Sequence, residues 1–181
     1  LPNGDRVRFV VHDGRCEGEG TGRTAHAMVV KFAGDDPDCT DGAHLTVDLR
    51  LLPEQAQRGQ IASVRLMLAL GWPVSVPGPW DASALNQAAF RGDVELVALL
   101  LAHGAWWNER NGYGGNALGS CLHAGVNEPV PGGDYAAVLS LLLAAGAPVP
   151  QPEPHWSDAL ATVAEQAAAC ADSPASMTPW G

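Results

Sequence analysis

From residue 84 to residue 102 the apolar positions fall three or four apart in two sets, Leu85, Ala88 and Ala89 and then Leu96, Val97, Leu100 and Leu101. That spacing puts each set on one face of a helix, so two one-sided helices are predicted on either side of Gly92. The same grammar appears upstream in Leu51 to Ala56 and Ile61 to Leu70, and downstream from Asn116 and again up to Ala147. A last amphipathic stretch runs from Asp158 to Ala171. The first fifty residues are patterned differently. Arg6 to Val11, Ala25 to Phe32 and His44 to Leu51 are short runs rich in Val, Phe and Leu, partly alternating and separated by Gly and Asp clusters, which predicts three strands.

The helical units recur at a fixed step. Gly59, Gly92 and Gly125 are 33 residues apart, as are Leu52, Leu85 and Leu118, and Gly71 and Gly104 keep the same interval. A period of this length marks a stack of supersecondary units, none of which can bury its apolar face without a neighbour. Gly92 and Gly104 stand where a tight turn and a helix end require left-handed backbone. Pro53 falls in the first turn of its helix, where no intrahelical amide bond is lost. The step from Gly104 to Gly146 is 42, and the excess lies around Asn127 to Asp134, a Pro- and Gly-rich loop inserted between two helices.

The unit from Ser83 to Ala105 resembles a full ankyrin repeat, and the resemblance extends over residues 51 to 171. Where the family has Thr-Pro-Leu-His, this chain has Ser83-Ala84-Leu85-Asn86 and then Asn116-Ala117-Leu118-Gly119. Gly119 cannot bridge, so the third unit is expected to join its neighbour more loosely. The resemblance implies a mainly α fold, an ankyrin-repeat solenoid of three to four helix pairs, with a β-rich or degenerate-repeat N-terminal segment. The expected divisions are 1–48 for that segment, 49–172 for the array with its insertion at 126–134, and 173–181 for a tail. A rival reading of the first segment takes Met28 to Gly34 as the end of a worn helix and Asp35 to Asp41 as a hairpin tip.

Composition narrows the function classes. Ten Lys and Arg against twenty Asp and Glu give a formal charge of −10, which repels nucleic acid and anionic lipid. The apolar runs Val94 to Ala102 and Tyr135 to Ala145 fall short of the roughly 20 residues that span a bilayer. Four separated cysteines, Cys16, Cys39, Cys121 and Cys170, form no CxxC pair, which points to reduced thiols and a cytoplasmic setting. The sequence leaves the oligomeric state open.

Candidate chemistry is sparse. His12, Cys16, His26, Cys39 and His44 offer nitrogen and sulfur without a zinc-finger spacing, and Asp35, Asp36, Asp38 and Asp41 lack the frame of a calcium loop. Gly18 to Thr24 lacks the Gly-x4-Gly-Lys frame of a phosphate cradle and brings Glu17 and Glu19 to where phosphate would sit. Cys121 and His123 stand two apart on a helix and cannot face one another. No cofactor or resident metal is called for, and catalysis is the minority reading. The ankyrin resemblance assigns Trp80, Gln87, Phe90, Arg91, Trp107, Tyr113 and His123 to a concave partner-binding face, with Phe90 and Trp107 turned away from the core. The expected function is therefore a protein-interaction scaffold that takes a partner with a basic surface, near Glu54, Asp81, Glu95 and Glu109. The alternative is a small-molecule or catalytic pocket over Phe90, Tyr113 and His123, walled by the N-terminal segment and the insertion.

Overall fold

In the computed structural model, residues 7–9, 27–32 and 44–172 are described, with side chains for 49–171. Three short strands, β1 (Val7–Phe9), β2 (Ala27–Phe32) and β3 (His44–Asp48), pair antiparallel in the order β1-β2-β3. Val29 stands opposite Thr46 and Arg8 opposite Lys31. The chain is otherwise mainly helical. Its helices are α1 (Leu51–Gln57), α2 (Ile61–Ala69), α3 (Ala84–Arg91), α4 (Val94–Ala102), α5 (Ala117–Asn127), α6 (Tyr135–Ala144) and α7 (Asp158–Asp172). The helix beginning at Leu51 cuts short the third expected strand, because Leu52 and Ala56 are fully buried on one helical face.

The starts of α3, α4, α5 and α6 are each specified by a side chain, whereas α1 and α2 begin without a side-chain cap. Ser83 accepts from the amide of Asn86, Asp93 from Leu96, Asn116 from Gly119 and Asp134 from Ala137. A cap of this kind satisfies an amide that has no partner inside the helix, a contribution of about 1 kcal/mol each. Helix ends follow the glycines: Gly59 and Gly92 have φ of 69° and 67°, and Gly71, Gly104 and Gly146 have φ of 84°, 84° and 90°.

Helix α3 packs on α1 and α5 in one row, and α4 on α2 and α6 in a second, with α7 against α6. Alanine at 84, 88, 89, 117 and 124 is buried throughout and lets the first row approach closely. A single apolar cluster runs from Leu52 and Val64 through Leu85, Leu96 and Leu100 to Val138, Leu142 and Leu160.

The insertion changes the third unit, and one expectation fails there. Gly125, in step with Gly59 and Gly92, lies inside α5, and a Cβ there would come within 2.9 Å of the Tyr135 ring. The inserted residues push the turn downstream, so the glycine serves close packing instead of left-handed backbone. Gly119 does not leave the unit without a bridge, since Ser120 Oγ donates to Asn86 Oδ1 at 3.1 Å in a buried position. Asn86 Nδ2 in turn donates to the carbonyl of Glu109 at 3.0 Å.

Candidate functional site

The exposed side of α3 and α5 forms the floor of a groove of about 800 Å³. Gln87, Phe90, Arg91 and His123 lie on that floor, Trp80 and Tyr113 on its rim, and Glu128 and Val130 in the inserted loop. Six of the seven residues expected at a concave face thus come together. Trp107 does not. Its ring is half-buried and packed against the apolar cluster, while its carbonyl accepts from Ala117. Phe90 is shared, packing on the cluster from one side and lining the groove from the other.

The rim is held by backbone bonds. Trp80 and Asp81 sit in a 3₁₀ turn (Pro79–Asp81) with φ of 56° and 54°, a left-handed conformation that L side chains adopt at a cost. Gly112 N donates to Trp80 O at 2.7 Å and so ties this turn to the next hairpin. In that hairpin Asn111 Oδ1 accepts from the amides of Tyr113 and Gly115 at 3.1 and 2.9 Å. The Asn-Gly pair at 111–112 is a turn signal legible in sequence, though no pattern showed that it would carry a rim.

The far wall is the insertion. Tyr135 Oη donates to Phe90 O at 3.1 Å and accepts from Val130 N at 2.9 Å, and Asp134 N donates to Gly92 O at 2.9 Å. The loop is therefore fastened to the end of α3. No periodicity marks Glu128 or Val130, because the insertion interrupts the period.

Arg91 and His123 are the two basic side chains of the groove floor. Arg91 donates from Nη1 to Gln57 O at 3.2 Å, its Nε is enclosed without a hydrogen-bond partner, and no acidic side chain pairs with it among the described residues. His123 Nε2 lies 3.5 Å from Glu128, both more than half exposed, and its ring centroid is 6.4 Å from that of Phe90. An exposed pair of this kind contributes little. The acidic ring expected around the groove is partly spent locally, with Glu95 on Arg65 at 3.1 Å and Glu54 near Arg58 at 3.8 Å.

Nucleophilic chemistry finds no support at Cys121. Burial pushes its thiol from 9.0 up to about 12, and Sγ donates to Tyr135 O at 3.4 Å. Among the described residues no three His, Cys, Asp or Glu side chains gather as a metal site. His12, Cys16, His26, Cys39, the acidic stretch 35–41 and the glycine-rich stretch 18–24 lie outside the described residues, as does the side chain of His44. No helix among the described residues is long and apolar enough to cross a membrane.

Comparison with known proteins divides the chain. Residues 1–69 match the CbiD family model, and residues 85–130 match a model of ankyrin repeats. The chain is 52% identical over 88 residues to the cobalt-precorrin-5B C(1)-methyltransferase of Variovorax paradoxus, covering 44% of this chain and 23% of the relative. It is 51% identical over 88 residues to the enzyme of the same name from Paracidovorax citrulli, with the same shares covered. Against that of Methylococcus capsulatus it is 46% identical over 103 residues, which is 52% of this chain and 26% of the relative. The chain thus spans about a quarter of the length of these curated relatives. These findings overturn the expected protein-interaction scaffold, because the high-identity likeness is to an enzyme; residues 28–41 fall inside the CbiD match. The ankyrin likeness stands for residues 85–130.

Proposed function

We propose that this chain serves methyl transfer to C(1) of cobalt-precorrin-5B, with residues 1–69 forming part of a CbiD-type unit. The observation that carries the reading is the 52% identity over 88 residues to a methyltransferase of that name. Identity at that level over that length preserves fold and surface chemistry together, which a shared fold alone does not. The chain spans a quarter of its relatives, so substrate binding is the step to test first. Cobalt-precorrin-5B titrated into the full chain should quench tryptophan fluorescence saturably, and incubation with substrate and a methyl donor should be followed for a mass gain of one methyl group. Absence of saturable binding by the full chain would sink the reading.

The helical remainder we read as an ankyrin-type solenoid over residues 49–172, interrupted at 126–134, with a β-rich segment before it and a tail after 172. Support comes from left-handed glycines repeating at 33-residue steps and from side-chain caps at the start of α3, α4, α5 and α6. A cytoplasmic setting fits the widely spaced cysteines, of which Cys121 and Cys170 are free thiols.

A further inference from the structure

The groove over α3 and α5 combines three features that the methyl-transfer reading does not use. All but one of its lining residues lie between positions 80 and 130, beyond the CbiD match, the exception being Gln57. The first feature is an uncompensated cation. Arg91 is half-buried and has no carboxylate beside it among the described residues, in a chain of net charge −10. A guanidinium partly withdrawn from water and left unpaired favours the arrival of an anion. Glu128, the acidic side chain that lines the groove, is directed to His123.

The second feature is a pair of large aromatic side chains held out from the core. Trp80 is 59% and Tyr113 81% exposed, and both stand on the groove rim. Rings this exposed contribute little to folding and present flat, polarisable faces. Phe90 continues the aromatic surface on the floor beside His123.

The third feature is preorganisation. The Gly112 to Trp80 bond, at 2.7 Å, fixes the two rim turns relative to one another and holds Trp80 and Asp81 in left-handed backbone. A Cβ at Gly112 would come to 3.0 Å from Trp80 O, so a side chain there would press on that junction. Strained turns locked in this way recur at ligand clamps. Ordering the rim before binding removes an entropic cost that a loose loop would impose.

We infer that this groove binds a small, flat, conjugated carboxylate, its acid group directed to Arg91 and its ring system against Trp80, Tyr113 and Phe90. The site stands independently of the methyl-transfer reading. The probe is pyrene-1-carboxylate, titrated into the full chain by calorimetry, with pyrene-1-methanol and cyclohexanecarboxylate as the uncharged and non-planar controls. Saturable one-to-one binding of the acid is expected, with the alcohol weaker by roughly tenfold or more and cyclohexanecarboxylate without measurable heat. Arg91→Gln should weaken the acid to the level of the alcohol, whereas Arg91→Lys, which keeps the charge, should retain most of the affinity. Because Arg91 also bonds to Gln57 O, Arg91→Gln is accompanied by Tyr113→Ala, whose side chain is exposed enough that the melting temperature should not change. Tyr113→Ala should still lose affinity for both pyrene compounds. Equal binding of acid and alcohol overturns the assignment of Arg91, and unchanged binding in Tyr113→Ala overturns the aromatic clamp.

Discussion

The second and third helix pairs make the same core with different turns. In α3 and α4 the connection is Gly92 and Asp93, with Gly92 left-handed and Asp93 already capping the next helix. In α5 and α6 the first helix runs on to Asn127, and residues 128–134 fold back over the end of α3. Both pairs nonetheless bury their leucines completely, Leu96 and Leu100 in one and Leu139 and Leu142 in the other. A repeat therefore tolerates extra residues at its turn when they find hydrogen bonds outside the stack, and here those bonds turn the extra residues into a wall.

The severest trial of that equivalence is truncation in both cores. Leu100→Ala and Leu139→Ala should each cost about 2 to 5 kcal/mol in urea unfolding. A much smaller loss for Leu139 would mean that the insertion loosens the third pair. Next comes the place where the two pairs touch. A Cβ at Gly133 would meet Arg91 O at 2.5 Å, so Gly133→Ala should cost about 1 to 3 kcal/mol and also reshape the groove, visible as changed hydrogen exchange at 128–134. Smaller still, Tyr135→Phe removes the hydroxyl that joins Phe90 O to Val130 N and should cost roughly 0.5 to 1.5 kcal/mol, with faster exchange confined to the loop.

The least effect is expected at Cys121, which separates packing from chemistry. Its thiol is raised by burial, so the neutral form is favoured in the folded state and no thiolate is available near neutral pH. Iodoacetamide at pH 8, mapped by mass spectrometry, should label exposed Cys170 and spare Cys121. The stability linked to this thiol is fully present below about pH 9, its ordinary value being 9.0, and is lost as pH rises towards about 12. Labelling of folded Cys121 at pH 8 would mean that the third pair opens more readily than the second.

Much of the helical region was legible because its physics is local. Leu85, Ala88 and Ala89 announce one face, Gly92 and Gly104 announce its ends, and Asn127 to Asp134 announces an interruption. The 33-residue step alone does not give Gly125 its role, because one spacing serves two purposes, turn and close contact, and only the partner Tyr135 decides between them. Trp107 misled for a similar reason, since the side on which a hairpin ring packs depends on the cluster beneath it. The methyltransferase likeness was not legible at all. Short alternating runs between Gly and Asp clusters describe a sheet, and nothing in such a pattern names a substrate, so the likeness had to come from residue identities over the whole stretch. The groove was half legible: its aromatic and basic residues were named from the repeat register, but Glu128, Val130 and the unpaired state of Arg91 depend on where the insertion lands.

The apolar cluster that holds Leu52, Ala56, Val64 and Leu68 together with Leu85 and Leu96 spans residue 69, where the CbiD match ends. The border between the two likenesses is thus no border for unfolding. A protease cut in the connection at 72–78 should leave two fragments that stay associated through gel filtration and part only in denaturant, each having lost the face that the other covers.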